Sequence, residues 1–218
     1  VEEKVAQVFS LVCEALAEAT DALLGGEPAE ASKVVAADES VDELTGQLSE
    51  LIWGELARLV PSNAELRRLV ALLLVLPELE RSADLAEHIA QRAVGNLGAN
   101  MSPVSRGIVQ RMSEVALEMW RSATAGYVKR TVCADELDQA DEELDILSRR
   151  LTGEVATAAM PAHVAAQVTL LGRFYERLGD HAVNLARRVE RFLAGDWPSS
   201  PAARRGGLVK PPPGTPGA

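Results

Sequence analysis

Tyr175-Glu176-Arg177-Leu178-Gly179-Asp180-His181-Ala182-Val183-Asn184-Leu185-Ala186 is the stretch from which the fold can be read. Its apolar residues belong to the longer seam Val168, Leu171, Tyr175, Leu178, Ala182, Leu185 and Val189. Alternating steps of three and four are the pattern of a helix packed lengthwise in a bundle. The opening of the stretch recurs earlier as Leu79-Glu80-Arg81-Ser82-Ala83-Asp84, on the matching seam Leu72, Val75, Leu79, Ser82, Ala86, Ile89 and Ala93. A second motif also occurs twice, as Asp38-Glu39-Ser40-Val41-Asp42-Glu43-Leu44 and as Asp141-Glu142-Glu143-Leu144-Asp145-Ile146-Leu147. Each motif falls at the same place in a triplet of long helical segments, so the sequence is an internal duplication. The distance between the two motifs differs between halves by about two helical turns, which one extra turn in each antiparallel arm around Pro61 absorbs.

Working outward, the segment boundaries carry ordinary helix punctuation. Gly25-Gly26 stops the first helix, which begins near Glu2, and Pro28 opens the second, which runs to about Val60. Ser62 with Glu65 is a capping box for the third, which is expected to kink at Pro77 and to end near Val94. Gly95-Asn96-Leu97-Gly98 interrupts, and Ser102-Pro103 starts a fourth helix ending near Lys129. A fifth covers about Ala134 to Ala158, and a sixth runs from Pro161 to Gly195-Asp196-Trp197-Pro198. The expected fold is all-α: a first three-helix bundle over 1–98, a second over 99–196, and a Pro/Gly-rich disordered tail over 197–218. Leu69–Leu76 is apolar on every side, which implies burial against more than one neighbour.

Composition excludes several functions. A formal net charge of −10 argues against nucleic-acid binding, which needs a basic footprint. The two cysteines, Cys13 and Cys133, have no zinc-site spacing and no catalytic neighbour, as in a reduced cytoplasmic chain. No signal-peptide pattern is visible, and no apolar run approaches the roughly 20 residues that insertion in a membrane requires. There is no phosphate-binding glycine loop and no His-Glu-x-x-His. His88, His163 and His181 lack a glutamate three residues upstream, so the ligand pairs of di-iron bundle enzymes are missing.

The chemistry lies in carboxylates four residues apart, on one helical face: Asp38/Asp42, Glu80/Asp84, Asp141/Asp145 and Glu176/Asp180. Such pairs repel until a cation lies between them, and carboxylate oxygen suits hard cations. Acidic pairs at this spacing also occur at Glu14/Glu18, Glu114/Glu118 and Asp138/Glu142, so number decides nothing and repetition at matched positions carries the reading. The pairs lie opposite or flanking the apolar seams, on a bundle surface or shallow groove. A metal cluster and a merely solvated acidic face both fit that placement. Arg81 and Arg177 are placed to balance the acids or to bind a partner's acids, and His181 to join a metal shell or make a surface hydrogen bond; the blander role is the expected one for each. A metal-dependent helical-bundle enzyme and a metal-free interaction module are the competing readings.

Tyr175–Ala186 resembles the signature of PhoU proteins, E-R-[hydrophobic]-G-D-x-A-x-N-[hydrophobic]-A, and Leu79–Ala90 is a degraded copy. Ser82-Ala83 replaces the usual hydrophobic-Gly step there, and His88 stands for the usual asparagine. The resemblance spans about residues 1–194. It implies a homodimeric, non-catalytic cytoplasmic adaptor that negatively regulates phosphate uptake and the phosphate-starvation response. The implied partners are the ATPase subunit of the phosphate ABC transporter and a sensor histidine kinase. Metal ions (Fe, Mn, Mg or Zn) are implied on Asp38, Asp42, Glu80, Asp84, Asp141, Asp145, Glu176 and Asp180. Because Ala83 adds a methyl where close approach matters, the second-half site is expected to hold metal better than the first.

Overall fold

The computed structural model describes residues 1–58, 62–131 and 133–193. The expected break at Pro61, the end of the last helix at Gly195–Pro198 and the tail over 197–218 lie outside these residues. The elements are α1 (Glu2–Gly25), α2 (Pro28–Arg58), α3 (Asn63–Val94), α4 (Leu97–Asn100), α5 (Pro103–Lys129), α6 (Ala134–Thr157) and α7 (Ala162–Leu193). The helix ends follow the punctuation. Gly26 takes the left-handed conformation (φ 72°) that closes α1, and the Ser62–Glu65 capping box opens α3 with both reciprocal bonds formed. α3 continues through Pro77, and α4 is a single turn inside the stretch read from sequence as an interruption.

α1, α2 and α3 pack together as one three-helix unit, and α5, α6 and α7 as another. The units meet along two lines, α3 against α7 and α1 against α5, so the buried apolar residues form one continuous core. This accounts for the apolar run in α3: Leu69, Leu72, Val75 and Leu76 are buried, and among its large residues only Leu74, 48% exposed, faces out. Tyr175 of α7 is fully buried and donates its hydroxyl to Thr20 Oγ1 of α1 at 2.7 Å, while Thr20 donates to the Leu16 carbonyl. Trp120 of α5, also fully buried, donates Nε1–H to the Leu178 carbonyl at 3.0 Å. Each aromatic supplies apolar area and satisfies its polar atom across a helix boundary.

The connections are held by side chains from elsewhere in the chain. Arg106 donates to the Gly98 and Leu24 carbonyls, tying α4 and the end of α1 to α5. A Cβ on Gly98 would lie 1.9 Å from the Leu23 carbonyl oxygen, so only glycine allows this approach. At the start of α6, Cys133 offers no side-chain cap, and Glu190 of α7 supplies one. Its Oε1 accepts from the Cys133 and Ala134 N–H groups at 2.8 and 2.7 Å. Replacing Glu190 with Ala removes this cap and should lower unfolding stability by about 1–2 kcal/mol, the range for lost N-caps. Chemical denaturation of wild type and variant checks the value.

Candidate metal centre

The aspartates of α2 and α6 face the neighbouring third helix of their own bundle across a groove. None of the eight carboxylates is buried as a residue: Asp42, Glu80 and Asp180 are exposed, and Asp38, Asp84, Asp141, Asp145 and Glu176 are half-buried. The groove is nonetheless deep at two points. Asp38 Oδ1 and Asp141 Oδ1, at matching positions of the two repeats, are both buried atoms without a hydrogen-bond partner. Both carboxyls are pushed up to about 6, first by desolvation and then by surrounding acids. For Asp38 those acids are Asp42, Glu87, Asp84 and Glu80; for Asp141 they are Asp180, Asp145, Asp138 and Glu176. Asp84 is raised as well, again mainly by desolvation. An orphaned carboxylate oxygen amid like charges is what a hard cation relieves, so this donor set fits a metal of the Mg, Mn, Fe or Zn class.

The repeats present this set differently. In the first, oxygens of Asp38, Asp42 and Asp84 all lie within 4.8 Å of one another, the one such group among the described residues. Glu80, its expected fourth member, stands outside it and is exposed. In the second repeat Glu176 is turned to Arg173, with which it forms an ion pair, and accepts from Ser148 Oγ at 3.2 Å. The geometry thus gathers ligands in the first half, where sequence reasoning favoured the second.

Glycine placement explains part of the contrast. A Cβ on Gly179 would sit 2.3 Å from Asp141 Oδ1 and 2.6 Å from Leu144 Cδ1, so α7 closes tightly on α6 at the carboxylate. At the matching place α3 carries Ala83, whose methyl is accommodated beside a cleft of about 240 Å³ that also reaches Asp38, Glu14, Glu18 and Glu87. Glu87, half-buried one turn beyond Asp84, was not singled out from sequence, although its i+3 spacing places it on the same face.

The placement of His181 differs from the sequence expectation. His181 is not at the surface: it is 7% exposed, with Nδ1 2.9 Å from Ser82 Oγ and Nε2 3.7 Å from Glu78 Oε2. Ser82, the departure from the family pattern, is thus its hydrogen-bond partner. Arg81 forms its direct ion pair with Glu78 while its charge also offsets Asp84, as expected, and Arg173, not Arg177, pairs with Glu176.

Two helical triplets with matched acidic grooves, fused through a shared core, define a duplicated all-α protein whose chemistry is carboxylate on a surface. The description "PhoU domain" matches residues 5–93 and 109–189, and the chain belongs to the PhoU family. It is 30% identical over 200 residues to the phosphate-specific transport system accessory protein PhoU homolog 1 of Mycobacterium leprae, covering 90% of each chain. PhoU homolog 2 of Mycobacterium tuberculosis is also 30% identical, over 90% of this chain and 94% of that one. The fold is similar to the crystal structure of PhoU from Pseudomonas aeruginosa, with a TM-score of 0.82 at 23% identity over 88% of this chain and 95% of that one. The regulatory protein PhoU from Streptococcus pneumoniae gives 0.78 at 18% identity, over 89% and 94%.

The raised carboxyls make a signed prediction for the metal-free protein. A folded-state pKa above the unfolded value means that the folded state holds the proton more tightly. The stabilisation from Asp38 and Asp141 is therefore full below about pH 4 and is lost as pH rises toward 6. At pH 7 Asp38→Asn should stabilise the metal-free protein by about 1 kcal/mol after allowance for solvent screening, and Asp141→Asn similarly. Thermal melts with chelator should show both variants above wild type at pH 7 and the difference closing by pH 4. Gly179→Ala should destabilise by about 1–3 kcal/mol, because its methyl overlaps Asp141 and Leu144.

Proposed function

We propose that this protein is a negative regulator of phosphate uptake and of the phosphate-starvation response, acting as a non-catalytic cytoplasmic adaptor. The likeness that supports this reading runs through both repeats and nearly the whole length of relatives named as accessory proteins of a phosphate-specific transport system. The partners that fit the role are the ATPase subunit of a phosphate ABC transporter and a sensor histidine kinase, engaged by a homodimer. No helix among the described residues is long and apolar enough to cross a membrane.

Metal ions belong to the same proposal. The observation that carries it is the pair of orphaned oxygens, Asp38 Oδ1 and Asp141 Oδ1, buried at equivalent places in the two grooves. Asp38, Asp42 and Asp84 would hold the ion in the first repeat, with Glu80 at the rim. Asp141, Asp145 and Asp180 would hold it in the second, joined by Glu176 once that residue leaves Arg173. The ion would supply positive charge that the grooves lack; the carboxylates would fix α2 to α3 and α6 to α7 through it. Protons compete for the same oxygens, so binding weakens as pH falls through about 6.

Deleting the gene should raise phosphate uptake in phosphate-replete cells, and the wild-type chain should restore repression; unchanged uptake on deletion refutes the regulatory role. Elemental analysis of purified protein should show bound metal that falls in Asp38→Ala/Asp84→Ala, with the first repeat filling before the second during titration. Metal content that the double variant leaves unchanged would refute the site.

A further inference from the structure

Arg92 and Arg188 occupy the same place in the two repeats. The register that aligns Asp84 with Asp180 aligns these arginines, and it aligns Glu78 with Phe174. The α3–α7 interface therefore contains two equivalent arginine seats, and they are filled differently. Arg188 Nη2 donates to Glu78 Oε1 at 2.9 Å, and its Nη1 donates to the Leu74 carbonyl. Arg92 instead lies over the Phe174 ring, 4.7 Å from its centroid, with His88 stacked on the same ring at 5.4 Å. An aromatic stands where the carboxylate acceptor would be.

The Arg92 guanidinium is correspondingly underused. Nη1 donates to the His88 carbonyl at 2.8 Å, while Nε is buried and has no acceptor. Burial pulls its pKa below the ordinary arginine value. The acid closest in sequence, Glu87, accepts from Gln91 Nε2 at 2.8 Å instead. A partly buried cation that feels Glu87 only at a distance and keeps an N–H without an acceptor is a costly arrangement unless something completes it.

In front of Arg92 opens a cleft of about 410 Å³ between α3, α4 and α7. Its polar walls are Arg92, Gln91, Asn100, His163 and Gln167, and no carboxylate among the described residues lines it. In a chain of net charge −10, this cleft is walled by one guanidinium, one imidazole and three primary amides. Gln91 Nε2 and Asn100 Nδ2 each use one hydrogen within the chain and keep a second.

We propose that this cleft is an oxyanion site of the phosphate class, the anion supplying to Arg92 what Glu78 supplies internally to Arg188. Donors arrive from three helices, and a tetrahedral group with three or four terminal oxygens can meet them all, whereas a planar carboxylate satisfies one side. The volume admits inorganic phosphate or the phosphate end of a small monoester; both present the same chemistry to Arg92. The site shares no ligand with the acidic grooves and does not depend on metal there.

The test is calorimetric titration of the full, chelator-treated chain with inorganic phosphate, glycerol 3-phosphate and acetate, alongside amide chemical-shift mapping. Saturable binding of phosphate or the monoester is expected, with shifts at His163 and Gln167, and the tighter of the two identifies the source. Arg92→Gln should weaken binding by about ten-fold or more, the loss expected for one charge-assisted contact. Phe174→Glu should weaken it as strongly, because it provides a carboxylate within the chain. Melting curves establish that each variant folds; if one does not, shifts at His163 and Gln167 given by phosphate and not by acetate carry the test. No saturable binding of either phosphate species at about 10 mM, equal binding by a folded variant, or acetate binding as tightly as phosphate overturns the proposal.

Discussion

Glu78 sits at the line where α3 is pressed against α7, and the residue is only 6% exposed. Arg188 and Arg81 reach it with their guanidinium groups, His181 lies 3.7 Å away, and His181 is itself bonded to Ser82 one turn along from Glu78. Apolar packing alone would let these helices slide, since it is non-directional. A buried acid with fixed partners on the opposite helix admits one register, and removing a partner typically costs about 3–5 kcal/mol through the charge left behind. That register governs the rest of the molecule. It aligns the two grooves as equivalent features of one body, and it seats Arg92 against Phe174 at the far end of the same interface.

Duplication gives two copies of each feature, and the copies have diverged in opposite senses. In the grooves, the first repeat gathers three carboxylates while the second satisfies Glu176 with Arg173 and Ser148. At the arginine seats, the second repeat's Arg188 finds an internal carboxylate and the first repeat's Arg92 does not. Positive and negative charge left without internal partners thus both concentrate on the first-repeat arginine and the first-repeat groove, some two turns apart along α3.

The seams made the architecture legible: Leu171, Tyr175, Leu178, Ala182 and Leu185 are buried as their spacing requires, and helix ends at Gly26, Ser62 and Ser102 follow local capping chemistry. The candidate ligands were legible as positions but not as a site. Whether Glu176 faces Asp180 or Arg173 is a rotamer choice among neighbours on its own helix and on α6, and spacing along one helix does not encode it. His181 was misplaced for a similar reason. It follows an exposed aspartate, but α7 buries a second face against α3, and a seam drawn for one bundle cannot show the other. Glu190 capping α6 joins residues far apart in sequence, and the cue visible locally was only that Cys133 is a poor cap.

The hydroxyl of Tyr175 resting on Thr20 bears on modularity. Sequence repetition suggests two separable modules, each able to fold alone, as in many solenoid and array proteins. Here the polar end of a large core residue of the second repeat finds a partner in the first helix of the first repeat. Either half by itself would lose that bond and open a wide face of the common core. The repeats are therefore units of sequence rather than of folding: the shared core makes their stability a joint property, while each keeps its own groove in which to diverge.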